Sequence, residues 1–306
     1  MGEAVVHGTA VPDEIELGRV RVLVGPDRGR YPNGNSLLVV GERETLLVDP
    51  SLPLATPDRE LPRVDRVVLS HVHEDHFAGL ARFPDRPVHV PSADRLGLVS
   101  LEGLLTIYGM PPDVEEAWVP VLQDEFHYRP RPDALGFDDG HEWDLGGVVV
   151  RAVHLPGHTR GHSGFLVEPD GVCYLGDIDL TGFGPYYGDA WSSLEDWARS
   201  LERCRRIEAR WYATFHQKLV VEGRERFLDL LDVYEAVIGR REVALLEHLA
   251  EPRTTAEIVA HRFVYRPGVE LPWVDYVEER SMTQHLERLR RQGRVREVEP
   301  GRFRAT

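Results

Sequence analysis

His71-Val72-His73-Glu74-Asp75-His76 sets three imidazoles and the Asp75 carboxylate within six residues, following the run Arg66 to Leu69 and Ser70. That run reads as a strand, so the hexapeptide falls in a loop at a strand's C-terminal end, where a rigid scaffold presents reactive groups. In an extended loop alternate side chains point the same way, so His71 and His73 can share one metal ion while Asp75 and His76 turn toward a second. Neutral imidazole and carboxylate are ligands for zinc, and also for iron or manganese. Six residues cannot close two sites, so the remaining ligands must come from downstream.

Short β-branched runs flank the segment upstream: Ile15 to Val24, Ser36 to Val40 and Thr45 to Val48, with Gly34 and Gly41 between them. Downstream, apolar residues at helical spacing over 93–126 predict two helices separated by Gly109-Met110-Pro111-Pro112, forming a lid, a dimer surface or part of the core. Strand-like runs return at 148–153, 164–167 and 172–175, followed by a helix over about 193–206 and a strand at 211–214. This order implies an α+β fold of two facing sheets with helices outside. Three candidate ligands stand just after such strands: His158 in Pro156-Gly157-His158-Thr159, Asp177 in Leu175-Gly176-Asp177, and His216 in Thr214-Phe215-His216. His154 and His162 read as supports for the ligands or as structural residues, and His7, His89, His127, His141, His248, His261 and His285 as ordinary.

Beyond Gly223 the texture turns helical. Glu225 to Ile238 and Arg241 to Leu249 predict two helices, Thr254-Thr255 caps a third over 256–261, and Ser281 with Gln284 forms a capping-box pattern for a last helix ending at Gly293. Val295 to Val298 and Arg302 to Arg304 then read as a hairpin. The chain divides accordingly into a catalytic domain, 1–222, and a smaller, winged-helix-like domain, 223–306.

The totals narrow the function. Of 306 residues 42% are hydrophobic and 28% charged, and no apolar run approaches a membrane span. Glu3, Asp13, Glu14 and Glu16 near the start speak against a secretory signal, so the expected location is the cytoplasm. The net charge of −15 disfavours broad attraction to nucleic acid or anionic membrane. It is unevenly spread: residues 240–306 hold 13 arginines against 11 acids, leaving −17 for residues 1–239. Cys173 and Cys204, the only cysteines, read as buried thiols in a strand and a helix.

The ordered set His71-x-His73-x-Asp75-His76, His158, Asp177 and His216, with Asp49 in Val48-Asp49-Pro50 ahead of it, resembles the motifs of the metallo-β-lactamase superfamily over roughly residues 15–220. The resemblance implies a four-layer αβ/βα sandwich in which His71, His73 and His158 bind one metal, Asp75, His76 and His216 the other, and Asp177 bridges. Two divalent ions, zinc foremost, would lower the pKa of a shared water toward ~7 for attack on an ester, thioester or lactone, with Asp75 or Asp177 orienting the nucleophile or moving its proton. Phe183, Tyr186 and Tyr187, soon after Asp177, are candidate substrate-wall residues for a small organic molecule.

The tail resembles the winged-helix module appended to a β-lactamase-like hydrolase group, some of whose members act on RNA. Arg288, Arg290, Arg291 and Arg294 are therefore candidate phosphate contacts, although a packing or dimerising role is preferred because acids share their helix. The competing readings are a single-strand nuclease or phosphodiesterase, a mononuclear iron dioxygenase of the persulfide type, and a non-enzymatic regulator.

Overall fold

The computed structural model describes residues 12–306; residues 1–11, including Glu3 and His7, lie outside the described residues. Strands β1 (Glu14–Leu17), β2 (Val20–Leu23), β3 (Ser36–Val40), β4 (Thr45–Val48), β5 (Arg66–Val68), β6 (Val88–Pro91) and β7 (Leu135–Phe137) form one sheet in that order. It is antiparallel from β1 to β4 and parallel from β4 to β7. A second sheet contains β8 (Glu142–Asp144), β9 (Val149–His154), β10 (Ser163–Glu168), β11 (Val172–Tyr174), β12 (Trp211–Ala213) and β13 (Val220–Glu222), with only β11 and β12 parallel.

Strand alternation decides what each face buries. Leu37, Val39, Leu46 and Val48 point toward the other sheet and pack with Val150, Phe165, Val167 and Tyr174. Their neighbours Leu38 and Leu47 point outward. There, after the single-turn segments α1 (Pro26–Gly29) and α2 (Glu74–Phe77), the chain lays down α3 (Arg95–Val99), α4 (Leu101–Tyr108) and α5 (Pro112–Asp124), whose Leu98, Leu104, Ile107 and Leu122 complete that outer core. The outer face of the second sheet, with Cys173 and Tyr212, is covered by α6 (Leu194–Cys204) and the first half of α7 (Arg224–His248) through Trp197, Leu201, Phe227, Leu231 and Tyr234. The result is the expected four-layer sandwich. Full burial of each such side chain is worth about 1.5–3 kcal/mol, so the order of the layers is strongly fixed by the apolar pattern.

A third, small sheet, β14 (Arg253–Thr254), β16 (Arg302–Ala305) and β15 (Val295–Glu299) in that spatial order, packs with α8 (Thr255–His261) and α9 (Val274–Arg291) around Leu245, Ile258, Met282, Leu286 and Leu289. No helix among the described residues is long and apolar enough to cross a membrane.

Several elements depart from the sequence pattern. The run Ile15 to Val24 is two strands, because Gly18 takes a φ of 68° and turns the chain. The 93–126 region holds three helices rather than two: Ser100 leaves helical geometry, and its side chain accepts from Gly103 N at 3.1 Å to start α4. Leu98 and Leu104 bury themselves, so much of this stretch is core. The two helices expected after Gly223 are one continuous α7. Ser281 caps nothing; it is buried inside α9, which begins at Val274. The Thr254 cap is real and forms a full capping box with Glu257.

Candidate metal centre

Every sequence-selected ligand converges at one edge of the sandwich. β5 delivers His71 and His73, the short α2 carries Asp75 and His76, and the loops after β9, β11 and β12 deliver His158, Asp177 and His216. Ligand-capable atoms of His71, His73, His158 and Asp177 lie within 4.8 Å of one another, as do those of Asp75, His76 and His216. Asp177 faces both groups with different oxygens: Oδ2 is 3.0 Å from His158 Nε2 and 3.9 Å from His71 Nε2. Its Oδ1 is 2.9 Å from His76 Nε2 and 3.9 Å from His216 Nε2.

The residues fit a pair of cations. Nε2 of His76 and of His158, Oδ2 of Asp75 and Oδ1 of Asp177 are all buried, yet their geometry forms no hydrogen bond. Native interiors rarely leave such atoms unpaired, since each costs about 1–3 kcal/mol. A shared ion is what satisfies lone pairs aimed at a common point. The charge balance agrees: the cavity wall carries the carboxylates of Glu74, Asp75, Asp177, Asp179 and Asp189 and, among the described residues, no lysine or arginine. Burial alone would push the imidazoles down in pKa, but Asp189 raises His73 to about 9, and Asp179 with Asp75 and Asp177 raises His216 to about 10. Burial opposes ionisation of Asp177 too, but the His76 and His158 charges hold it well below the ordinary carboxylate range.

The outward nitrogens of His76, His216 and His158 are also held. Asp49, fully buried, accepts from Ser70 N and Ser70 Oγ at 2.6 Å and from the Tyr174 hydroxyl at 2.8 Å, and its Oδ2 lies 2.9 Å from His76 Nδ1. His216 Nδ1 lies 2.6 Å from Gly29 O, and His158 Nδ1 3.3 Å from Tyr186 O. His73 turns Nδ1 toward His71 Nε2, 3.1 Å away, and places Nε2 3.0 Å from Asp189 Oδ2. Such partners fix ring orientation and tautomer. His162 supports Asp177: its Nε2 accepts the Asp177 N–H at 3.1 Å and Nδ1 lies 2.8 Å from Leu155 O. Burial lowers the His162 pKa to about 3, which keeps the ring neutral and able to accept. His154 sits farther out, with Nε2 2.8 Å from Arg160 O.

Asp189, Asp94, Asp179 and Glu74 were not singled out by the sequence. Asp94 accepts from Thr159 Oγ1 at 2.5 Å and from Gly161 N at 2.8 Å, bracing the loop that carries His158. Asp179 Oδ1 is buried without a hydrogen bond, and the residue shares ligand-like spacing with Asp177 and His216. Glu74 accepts from the hydroxyls of Tyr31 at 3.0 Å and Tyr108 at 2.5 Å. The spacing Asp177-x-Asp179 was the one signal available for these; the others depend on contacts with distant residues.

A cavity of about 320 Å³ opens over this cluster and is lined by two of the three expected wall residues, Phe183 and Tyr186. Tyr187 is a correction. It is 1% exposed and points away, its hydroxyl 2.7 Å from His285 Nε2 and accepting from Arg241 Nη1 at 2.8 Å. His285, taken from the sequence as ordinary, is buried in that network.

Residues 30–216 match the family model of the metallo-beta-lactamase superfamily, and the chain belongs to that superfamily. Lactamase-like protein ptaB of Pestalotiopsis fici is 27% identical over 183 residues, covering 56% of this chain and 48% of that protein. An atrochrysone carboxyl ACP thioesterase of Aspergillus fumigatus is 26% identical over 199 residues, covering 62% of this chain and 52% of the relative. The chain thus spans about half the length of these curated relatives. Among solved structures, a metallo-beta-lactamase family protein from Thermus thermophilus superposes with TM-score 0.68 at 25% identity, covering 94% of this chain and 99% of its own. A beta-lactamase domain protein from Burkholderia ambifaria also reaches 0.68, at 19% identity, over 96% of this chain and 93% of its own, and shows the fold alone.

Proposed function

We propose that the protein is a dinuclear metal-dependent hydrolase of an ester, thioester or lactone, with zinc as the resident ion. The observation that carries this reading is the two-faced Asp177, one carboxylate oxygen turned to each group of ligands. His71, His73 and His158 would hold one ion, Asp75, His76 and His216 the second, and Asp177 both. When bound, such a pair supplies a water of pKa near ~7 and a Lewis acid for a carbonyl oxygen. Asp49, Asp189 and His162 keep His76, His73 and Asp177 in place. Asp75 and Asp177 are the catalytic carboxylates, orienting the nucleophile, and Asp179 Oδ1 is a further unpaired oxygen on the cavity wall able to hold a proton.

A neutral acyl substrate fits better than a phosphodiester, because beyond the ions themselves the cavity wall offers, among the described residues, no lysine or arginine to a phosphate. The similarity to a thioesterase supports the acyl reading. The expected tail arginines are also largely engaged: Arg291 pairs with Glu195 at 2.7 Å, Arg290 with Glu297 at 3.3 Å and Arg288 with Glu242 at 3.5 Å. One face of α9 is docked on the catalytic layers, where Gln284 accepts from Leu194 N at 2.7 Å. We therefore read residues 223–306 as a winged-helix-like unit whose role is packing.

Elemental analysis of protein purified without added metal, followed by a panel of esters, thioesters and lactones, tests this. About two equivalents of metal and turnover on the panel are expected. Full metal occupancy with no turnover would overturn the proposal, and one iron per chain with oxygen consumption would move it to the dioxygenase reading.

A further inference from the structure

The cavity has two unlike ends. Its base is the cluster of imidazoles and carboxylates; its mouth is apolar, built from Met110, Trp118, Phe183, Tyr265, Leu271 and Trp273. Tyr265, Leu271 and Trp273 come from the irregular stretch between α8 and α9, so the C-terminal region supplies a wall of the site. The Trp118 and Trp273 rings meet edge to face at 4.9 Å, and Phe183 meets Tyr265 at 5.9 Å, which joins this wall to the helices on one side and the loop after Asp177 on the other.

The wall is anchored. Glu278, fully buried on α9, accepts from the backbone N–H of Phe263, Val264 and Tyr265 at 3.0, 2.9 and 2.7 Å. Three charge-assisted hydrogen bonds to consecutive amides fix the Phe263–Tyr265 end of the stretch. The rim remains bare: Phe183 is 42% and Leu271 44% exposed, and Tyr31, also on the cavity, 44%. Large apolar side chains gathered around one opening mark a binding site.

We infer that this wall is an acyl-binding subsite, which takes the apolar acyl portion of the substrate, an unbranched or aromatic chain without charge, while the carbonyl lies over the metal ligands. The inference rests on the hydrolase reading for the position of the carbonyl. Charge complementarity selects the occupant: among the described residues the apolar wall carries no lysine or arginine to pair with a carboxylate or phosphate far along the acyl chain.

The test uses the metal-loaded chain with p-nitrophenyl esters from acetyl to hexanoyl. A fully buried methylene is worth about a fourfold gain in binding and the series adds four, so kcat/KM should climb about tenfold even if fewer than half of them are fully buried. Leu271→Ser should lower the hexanoyl-to-acetyl ratio about threefold and Trp273→Ala about tenfold, chiefly through KM. Leu271 is exposed enough that its replacement leaves the core intact. A flat series, or a ratio that neither variant moves, overturns the subsite while leaving the hydrolase reading standing. If no p-nitrophenyl ester turns over, the thioester and lactone panel decides the hydrolase reading, and calorimetric titration of the metal-loaded chain with 1-octanol decides the subsite: saturable binding with a negative heat-capacity change supports it, and none overturns it.

Discussion

Asp49 touches no part of the cavity, yet its carboxylate is the point at which Ser70, Tyr174 and His76 meet. Asp49→Asn keeps the volume but turns one oxygen into a donor, which cannot accept from all three; zinc affinity measured by chelator competition should weaken about 10–100-fold. His89 offers a cleaner electrostatic experiment away from the centre. Burial first, then Arg66 and His141, lowers its pKa to about 4 against an ordinary 6.5. Between those values the unfolded chain binds the proton and the folded chain does not, so His89 costs stability as pH falls from about 6.5 to 4 and costs nothing above. His89→Leu should therefore lose less stability than the parent between pH 7.5 and 5 in urea unfolding, and equal losses would refute the assignment. The seven proposed ligands were legible because each follows a strand and belongs to an ordered motif. Asp189 and Asp94 were not, because what gives them meaning is His73 and the 157–161 loop, far off in sequence.

At the level of elements, legibility followed periodicity. The continuous apolar runs of β3 and β4 and the helical spacing in α6 announce themselves, whereas β7 and β8 are only three residues long and β6 interrupts its apolar run with His89. Ser281 and Gln284 mimicked a cap because the pattern cannot reveal that Val274 and Val277 already lie on the same buried helix. The stretch 262–273, which has no period at all, proves to be tied at residues 263–265 by the Glu278 carboxylate. Glu278→Gln presents an amide group to three amide donors and should destabilise the chain by about 3 kcal/mol in urea unfolding. Amide exchange should accelerate at residues 263–265 more than in β10 or β11, since the loss is local before it is global. Thr254→Ala, which removes the capping box on α8, should cost about 1 kcal/mol by the same measurement.

For the whole molecule, α7 decides how the two ends of the chain behave together. Its first half carries Phe227, Leu231, Tyr234 and Ile238 into the core behind the second sheet, and its end carries Leu245 into the C-terminal core. Between them Arg241, 5% exposed, donates to Phe183 O, Pro185 O and the Tyr187 hydroxyl, each at 2.8 Å, while Tyr187 continues the contact to His285 on α9. A rod shared by two cores and bolted at its middle transmits loss of one to the other. Heating or urea should then give a single transition, with tryptophan fluorescence and far-ultraviolet circular dichroism coincident. Arg241→Met would fill much of the space but leave three oxygens, two of them in buried contacts, without their donor, at a cost of several kcal/mol. If the bolt is what couples the cores, the two probes should separate in this variant, and the C-terminal helices should melt first. Coincident curves at a lowered midpoint would show that the continuous backbone of α7 suffices for the coupling, and separate curves already in the parent chain would show that it does not.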